Sequence, residues 1–459
     1  MDVKQCIDSL SIMLPEDILK RKWAGDLEGA IKAIDRRLKG DLPEMLRARL
    51  VCEKERIRRL PTQYPWSKTE ALAKLREIVP SVTEAQFDEW ELDGRIDFIY
   101  IHGEKRYFIR CHRSITKHPE LIRQAGREVS PENSWLDPMI CEIKEKGSLT
   151  RRITLETSVY VEREEFVPGE YIVHLPFPVP AAQQRDICLI EGAPDSVAPE
   201  TAAARTVQWR RKLDSWQEFA IKYSYVSSIR YADPLHLPAP EKPLYPNALP
   251  PCAEDLSEYG AHMRFTPYLR ALAAELSKES DTDVQKAWRF YEFVTTKVDY
   301  SFMRDYFQID GHNEYCAVNL RGDCGLQALL FIILCRISGI PARWQSGLAV
   351  EPGYTGSHDW AQFYLGGWGW LFADCSYGGS AYRYGALERH RFYFGNIDPM
   401  RMAATSAYQA ELTPEIAVLR TDPFDNQSGE IERIDAEQPF TMRQLNGKAR
   451  LVAAETLPF

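Results

Sequence analysis

One cysteine of the chain stands where a thiol could act as a nucleophile. Cys324 lies in the segment RGDCGLQALLFIILCRISGIPARW, residues 321–344, directly before a long apolar run. Asp323 is a suitable N-cap, so the spacing predicts a helix that begins at Cys324 and ends near Ser338. The positive end of the helix dipole favours a thiolate there, and Gly325 leaves room beside the sulfur, whereas the charge of Asp323 opposes ionisation. A small buried core cysteine is the alternative interpretation.

A thiol nucleophile needs a base and a group that orients the base, and His358 and Asp374 could supply both. His358 opens the strand-like run HDWAQFYL, and Asp374 ends the next strand-like run, after a turn at Gly366–Gly367. The two residues are symmetric about Gly366, so a tight hairpin is expected to bring them together on one face of a sheet. Taken singly, a histidine at a strand start is usually structural, and an aspartate after a strand usually caps a turn.

Composition and charge argue against several other classes of function. The net charge of −9 and the pI of about 5.7 disfavour binding to nucleic acid or to an anionic membrane. The ten cysteines form no C-x-x-C pair and are expected to be free thiols, so neither a metal nor a cofactor is predicted. The N-terminus has no basic region followed by an apolar one, and the apolar run after Cys324 is too short to cross a bilayer. A cytoplasmic protein is therefore expected.

The first predicted domain, residues 1–145, is helical and ends in a β-hairpin that turns at His102–Gly103. Ser67 and Glu70 have the spacing of a capping box at the start of one of its helices. Helices followed by a hairpin are similar to a winged helix. DNA binding is disfavoured, because the helix before the hairpin carries five acidic residues: Glu84, Asp88, Glu89, Glu91 and Asp93.

Two further domains are predicted after residue 145. Residues 146–240 contain at least five short strand-like runs at the spacing of a β-sandwich. Prolines are concentrated at residues 233–251, which predicts an extended linker. Residues 241–459 mix helix and strand around Cys324 and end in a C-terminal tail.

The segment 321–378 resembles the core of the transglutaminase-like superfamily, a branch of the papain-like cysteine enzymes. The matching positions are Gly322-Asp323-Cys324, Gly-Ile-Pro-Ala-Arg at 339–343, His358-Asp359-Trp360, and Gly369-Trp370 followed by Asp374. Cys375 departs from the pattern, because proline or threonine is more usual there. The resemblance covers about 252–400, and the predicted β-sandwich is similar to a domain that many bacterial members carry. It implies an α+β, papain-like fold in which a cysteine-bearing helix packs on an antiparallel sheet.

The resemblance also implies a role for each residue singled out above. Cys324 would be the nucleophile, His358 the general base and acid, and Asp374 the residue that orients His358, with a thioester intermediate. Tyr300 is the predicted oxyanion donor beside the backbone N–H of Cys324, and aromatic packing is its alternative role. Two tryptophans are predicted to line the substrate cleft, with core packing as the alternative: Trp344 and Trp360.

Water or an amine could resolve such a thioester. No calcium loop of the D-x-[DN]-x-[DN]-G type is found, and bacterial relatives of this layout look like hydrolases. The expected activity is therefore that of a cysteine peptidase or amidase acting on a peptide, isopeptide or related amide. The alternatives are a protein-glutamine gamma-glutamyltransferase and an inactive binding scaffold. The expected partner is a peptide or protein substrate, and the sequence indicates no oligomeric state.

Overall fold

The computed structural model describes residues 3–129, 133–416, 418–436, 440–442 and 445–458. They form a mixed α+β structure with several antiparallel sheets. Within these ranges no helix is both long enough and apolar enough to span a membrane.

The described residues 3–129 and 133–146 contain helices and one hairpin, and this stretch is here called the N-terminal helical unit. Ser67 accepts a hydrogen bond from the backbone N–H of Glu70, and the Glu70 carboxylate accepts one from the N–H of Ser67, so the predicted capping box is confirmed. The hairpin turns at His102–Gly103, as the sequence predicts. The helices are α1 Val3–Asp8, α2 Glu16–Trp23, α3 Leu27–Leu38, α4 Glu44–Gln63, α5 Lys68–Ile78, α6 Glu84–Leu92, α7 Cys111–Ile115, α8 Pro119–Gln124 and α9 Asp137–Lys146. The hairpin strands are β1 Phe98–Ile101 and β2 Glu104–Tyr107.

A disulfide joins two helices of this unit. Cys6 of α1 and Cys52 of α4 are paired, with their Cα atoms 5.3 Å apart, and both are buried. The expectation of ten free thiols is therefore wrong for these two residues. Their separation of 46 residues gives no local sequence signal, because only the folding of α1 against α4 brings them together.

Two β-sheets that share one hydrophobic core follow, and together they are called the two-sheet unit. Its strands before the core unit are β3 Ser148–Val161, β4 Gly169–Pro176, β5 Gln184–Glu191, β6 Ser196–Val197, β7 Thr206–Leu213 and β8 Phe219–Arg230. The shared core contains alternate residues of facing strands, among them Ile153, Val173 and Tyr223. This alternation is what one buried face of a strand requires.

The end of the chain returns to the two-sheet unit. Three strands, β16 Glu430–Arg433, β17 Phe440–Thr441 and β18 Leu445–Leu457, join its sheets, which have the orders β17-β16-β4-β7-β6 and β18-β3-β8-β5. The sequence predicts these residues as the tail of a domain at 241–459, whereas the strand register assigns them to the sheets that begin near residue 148. The partners of β16 and β18 in the earlier strands lie more than 250 residues before them in the chain, so no local pattern predicts the pairing.

The remaining elements form the core unit. Its helices are α10 Pro267–Leu276, α11 Asp283–Lys297, α12 His312–Asn319, α13 Cys324–Ile337, α14 Cys375–Arg383 and α15 Leu387–Phe392. Its strands are β9 Asp299–Tyr300, β10 Arg321–Gly322, β11 Ala342–Glu351, β12 Tyr354–Leu365, β13 Gly369–Ala373, β14 Phe394–Gly395 and β15 Arg401–Thr405. The sheet has the order β14-β13-β12-β11-β15.

Helix α13 is the central element of the core unit. Asp323 caps it by accepting a hydrogen bond from Leu326 N, and Gly339 follows its last turn with φ +80°. All residues from 325 to 335 are buried, and Phe331 packs edge-on against Phe363 of β12, with ring centroids 5.5 Å apart. The predicted helix is thus confirmed, and its apolar run is explained by packing on the sheet.

The β12–β13 hairpin differs from its predicted register. Ala361 pairs with Ala373 and Leu365 with Gly369, so the turn is centred on Gly367 and not on Gly366. The pairing therefore aligns Asp374 with Trp360 and not with His358. Because side chains two residues apart share a face, a diagonal contact between positions 358 and 374 is still available.

Candidate active site

Cys324 is the first residue of α13, and its thiol is only partly exposed. Its Sγ lies 3.2 Å from Oδ2 of Asp359 in β12. Burial raises the pKa of the Cys324 thiol well above its ordinary value, and the nearby carboxyl groups of Asp359 and Asp323 raise it further. The sulfur is therefore held as a thiol in the arrangement described.

His358 and Asp374 form a buried pair. His358 Nε2 is 2.7 Å from Asp374 Oδ2, and that oxygen also accepts a hydrogen bond of 3.1 Å from Arg401 Nη2. The other oxygen of Asp374 accepts from the backbone N–H of Tyr377 at 2.9 Å. Burial alone would raise the pKa of Asp374, but His358 and Arg401 bring it below its ordinary value. The carboxylate is thus ionised and fixes the imidazole by Nε2, which leaves Nδ1 to exchange a proton.

The structure brings the predicted His358 and Asp374 together, but among the described residues no hydrogen bond or ring contact joins Cys324 to His358. Asp374 contacts His358, while Cys324 contacts Asp359, the residue next to His358. Successive side chains of a strand point to opposite faces, so one strand presents both partners on different sides. The positions of His358 and Asp374 around the glycine turn predicted their contact from the sequence. The contact between Cys324 and Asp359 was not predicted.

Residues 270–375 match the sequence profile of the Transglutaminase-like superfamily. The chain contains a transglutaminase-like domain. The matched segment runs from α10 to the start of α14 and includes the cysteine, histidine and aspartate just described.

Three solved structures overlap the chain in part. A proposed cysteine protease from Cytophaga hutchinsonii is 15% identical over 68% of this chain and 93% of its own, with a TM-score of 0.41. The periplasmic domain of TgpA from Pseudomonas aeruginosa, bound to ethylmercury, is 17% identical over 52% and 94%, with a TM-score of 0.27. A proposed protease from Parabacteroides distasonis is 10% identical over 49% and 63%, with a TM-score of 0.20. No curated protein is significantly similar to the chain in sequence.

A cleft of about 350 Å³ opens beside Cys324 of the transglutaminase-like domain. One wall is the loop 300–306, and the other is the segment 420–430, here called the return segment because it leads the chain back to the two-sheet unit. Cys324 and Asp359 line the cleft, whereas His358 is not among the lining residues. Of the predicted cysteine, histidine and aspartate, the cysteine is therefore the one that lines the space open to a substrate.

Two tyrosines of the loop wall stand near the nucleophile. Tyr300 pairs with Gly322 in the short β9–β10 ladder and lines the cleft. Tyr306, which the sequence did not single out, donates a hydrogen bond of 2.5 Å to Asp323 Oδ1. Its hydroxyl would be 2.1 Å from a Cβ added at Gly325, so it lies directly against the first turn of α13. Besides Tyr300, the predicted oxyanion donor, Tyr306 is therefore a second tyrosine hydroxyl beside the start of α13.

Trp344 and Trp360 are both buried, at 2% and 0% exposure, and neither belongs to the cleft lining among the described residues. Trp344 lies near Gly325 and packs edge-on against Tyr408 at 5.6 Å. The Nε1–H of Trp360 donates to Gln345 Oε1 at 2.9 Å. The alternative of core packing describes both tryptophans, because their rings are enclosed by neighbouring elements.

The return segment supplies two polar residues that sequence reasoning missed. Gln427 Nε2 donates to Asp359 Oδ1 at 2.6 Å, and the Asp425 carboxyl group lies close enough to that of Asp359 for the two to interact. In the sequence this segment reads DPFDNQSGEIE, a polar run that by itself indicates no role. In the described part of the chain, no three His, Cys, Asp or Glu side chains converge in a way that could hold a metal ion.

Proposed function

We propose that the chain is a cysteine-dependent hydrolase that cleaves a peptide, isopeptide or related amide. The observation that carries this proposal is Cys324 at the start of a buried helix and on the wall of an open cleft, with the His358–Asp374 pair anchored on the adjoining strand. An ionised Asp374 favours an imidazole that can receive a proton at Nδ1. The transglutaminase-like match over this segment agrees with such chemistry.

The proposed reaction requires a local rearrangement, because Cys324 contacts Asp359 while His358 lies on the other side of β12. The Cys324 thiol first leaves Asp359, comes within reach of His358 Nδ1 and gives its proton to that nitrogen. The thiolate attacks the amide carbon, and the tetrahedral oxyanion is stabilised by the backbone N–H of Cys324 with Tyr300. The C–N bond then breaks, and the imidazolium gives its proton to the departing amine. Water attacks the thioester, gives a proton to His358, and releases the acid and the free thiol.

The decisive experiment incubates the wild type and Cys324→Ala with a peptide library, with and without a primary amine. Mass spectrometry should show cleavage products only with the wild type. Cys188→Ser, which changes an exposed cysteine of β5, is the matched control and should cleave normally. Amine addition in place of cleavage would indicate a glutamyltransferase, and no product of either kind would indicate an inactive scaffold.

Tyr300→Phe and Tyr306→Phe test the oxyanion donor separately. If Tyr300 fills this role, its variant loses kcat with little change in KM, because the hydrogen bond forms only in the transition state. If the loss occurs with Tyr306→Phe alone, the donor is the tyrosine beside Asp323.

The architecture is proposed to combine a papain-like core with a β-sandwich formed by the two-sheet unit and a winged-helix-like N-terminal helical unit. The helices followed by the β1–β2 hairpin support the last element, and the common core of the two sheets supports the second. The proposed partner is a peptide or protein, and neither nucleic acid nor membrane is proposed.

The cytoplasm is the proposed compartment, and the Cys6–Cys52 disulfide gives a direct test of it. Disulfides are rare in the reducing cytosol. Because both cysteines are buried, cells are quenched with acid and the protein is alkylated under denaturing conditions without reductant. Mass spectrometry should then find Cys6 and Cys52 alkylated if the chain is cytoplasmic. Finding the two cysteines linked would place the chain in an oxidising compartment.

A further inference from the structure

Asp359 is fixed against the nucleophile by both of its oxygens. Its Oδ2 accepts from the Cys324 thiol at 3.2 Å, and its Oδ1 accepts from Gln427 Nε2 at 2.6 Å. Gln427 Nε2 also donates to the backbone carbonyl of His358 at 3.2 Å. Asp359 is 5% exposed, so water does not replace these partners. The carboxyl group therefore sets where the sulfur lies.

Asp425 is the second carboxyl group of this arrangement. It is also 5% exposed, it lines the same cleft, and its carboxyl group lies close enough to that of Asp359 for the two to interact. Ser346 Oγ and the backbone N–H of Asn426 donate to its Oδ1. Two adjacent buried carboxyl groups disfavour carrying two negative charges, so the pair favours one shared proton and one negative charge.

The groups that face the two carboxyls from packed elements are mostly acids. They are Cys324 and Asp323 at the start of α13, Tyr306 of the loop wall, and Asp422 of the return segment. Arg420 also lies nearby, but it donates to the backbone carbonyl of Asp425 and is ion-paired with Glu430 at 3.5 Å. The negative charge beside the sulfur is therefore not offset by these groups.

We propose that Asp359 and Asp425 act as one carboxyl pair that positions the Cys324 sulfur and keeps it protonated at neutral pH until His358 takes the proton. The inference rests on the proposed role of Cys324 as nucleophile. Burial, and then the charge of Asp425, raises the pKa of Asp359, which is consistent with a shared proton. A negative charge beside a thiol disfavours the thiolate, so activation requires the S–H bond to break as an N–H bond forms on His358.

Alkylation of Cys324 by iodoacetamide across pH measures this directly. The thiolate attacks the CH₂ carbon, the C–I bond breaks, and iodide leaves, so the rate follows the thiolate fraction. Peptide mass spectrometry reports Cys324 separately from the other thiols. Asp359→Asn removes the carboxyl group that contacts the sulfur and leaves the negative charge of the pair on Asp425, so it should raise the rate at pH 7 about tenfold, with the midpoint about one pH unit lower. Asp425→Asn should change both in the opposite direction, because the pKa of Asp359 falls without Asp425 and its charge then lies beside the sulfur.

Asp186→Asn is the matched control, because Asp186 is exposed on β5 in a left-handed conformation (φ 52°) that asparagine also adopts. Its Cys324 alkylation should equal that of the wild type. An unchanged or slower rate in Asp359→Asn would overturn the proposal, and a slower rate would identify Asp359 as a base. If Asp359→Asn does not fold, a slower Cys324 rate in Asp425→Asn supports the proposal, and an unchanged or faster rate overturns it. Failure here leaves cleavage by the wild type and its loss in Cys324→Ala untouched, so the proposed function is judged separately.

Discussion

The substitution Gly325→Ala tests how closely the groups around the nucleophile are packed. An added Cβ would lie 2.1 Å from Tyr306 Oη, 2.9 Å from Asp359 Oδ2 and 3.0 Å from Trp344 Cη2. Carbon and oxygen atoms normally stay more than roughly 3.2 Å apart, so the tyrosine hydroxyl must withdraw by about 1 Å. That movement would break its hydrogen bond to Asp323 and press on the carboxyl group that holds the Cys324 sulfur.

The effects of Gly325→Ala on stability and on activity should differ in size. Alanine in a helix gains about 1 kcal/mol over glycine, while overpacking costs about 1–3 kcal/mol. The free energy of unfolding should therefore fall by only about 0–2 kcal/mol. Peptide cleavage should fall about a hundredfold, because an error of about 1 Å at reacting atoms has that effect.

Gly366→Ala is the control for Gly325→Ala. Gly366 lies in the β12–β13 turn, and a Cβ built there has no heavy atom within 4 Å. Urea unfolding and peptide cleavage of this variant should match the wild type. The reasoning would be refuted if Gly325→Ala cleaved peptides as fast as Gly366→Ala, since the groups around the sulfur would then tolerate the added carbon.

Three further perturbations test the charges around the cleft. Asp425→Asn should be more stable relative to the wild type at pH 8 than at pH 4. Burial raises the folded-state pKa of Asp425 to about 6. The protonated form therefore adds stability to the wild type below the unfolded pKa of roughly 3.9, and this stability is lost as the pH rises through about 6. Urea unfolding that gives the same free-energy difference between variant and wild type at both pH values would contradict this. Asp374→Asn should lower the free energy of unfolding by about 3–5 kcal/mol at pH 7. The difference from the wild type should shrink between pH 5 and pH 2, because the lowered pKa of Asp374 gives stability that is lost as the pH falls through the folded-state pKa. A difference that stays constant over this range would exclude this linkage. Arg59→Ala should raise the KM of peptide cleavage about tenfold, because Arg59 donates hydrogen bonds to the carbonyls of Thr421 and Arg420 in the return segment. A hydrogen bond that involves a charged group contributes about 1.5–3 kcal/mol. The control Arg58→Ala, which changes the exposed neighbouring residue, should leave KM unaltered.

Features encoded within a few residues could be predicted from the sequence. The start of α13 at Cys324 follows from the Asp323 cap, and its end follows from Gly339. The capping box at Ser67 depends only on Glu70, three residues later. Each of these signals is complete within one turn of the chain, so tertiary packing had little opportunity to change it.

Features that depend on pairing between distant segments could not be predicted. The two-residue glycine turn left the hairpin register ambiguous by one position, and the structure centres it on Gly367. The contact of Asp425 with Asp359 needs the return segment to cross the cleft, 66 residues after the strand. Nothing at residue 425 marks this, because an aspartate in a polar run has the same local appearance whether it is solvated or buried.

The N-terminal helical unit is part of the architecture of the cleft and not only an addition to it. One face of α4 contacts both walls of the cleft. On the side of the loop wall, Arg56 donates to the carbonyl of Phe307 at 2.7 Å, and Gln63 and Asp305 exchange hydrogen bonds of 2.7 and 2.9 Å. On the other side, Arg59 donates to the return segment. These positions are spaced three and four residues apart, so they share one side of the helix. Removing residues 1–145 would therefore remove the hydrogen bonds that hold the loop carrying Tyr306. Loss of activity in such a deletion would reflect the loss of these contacts, whereas single changes on α4 test the support of each wall separately.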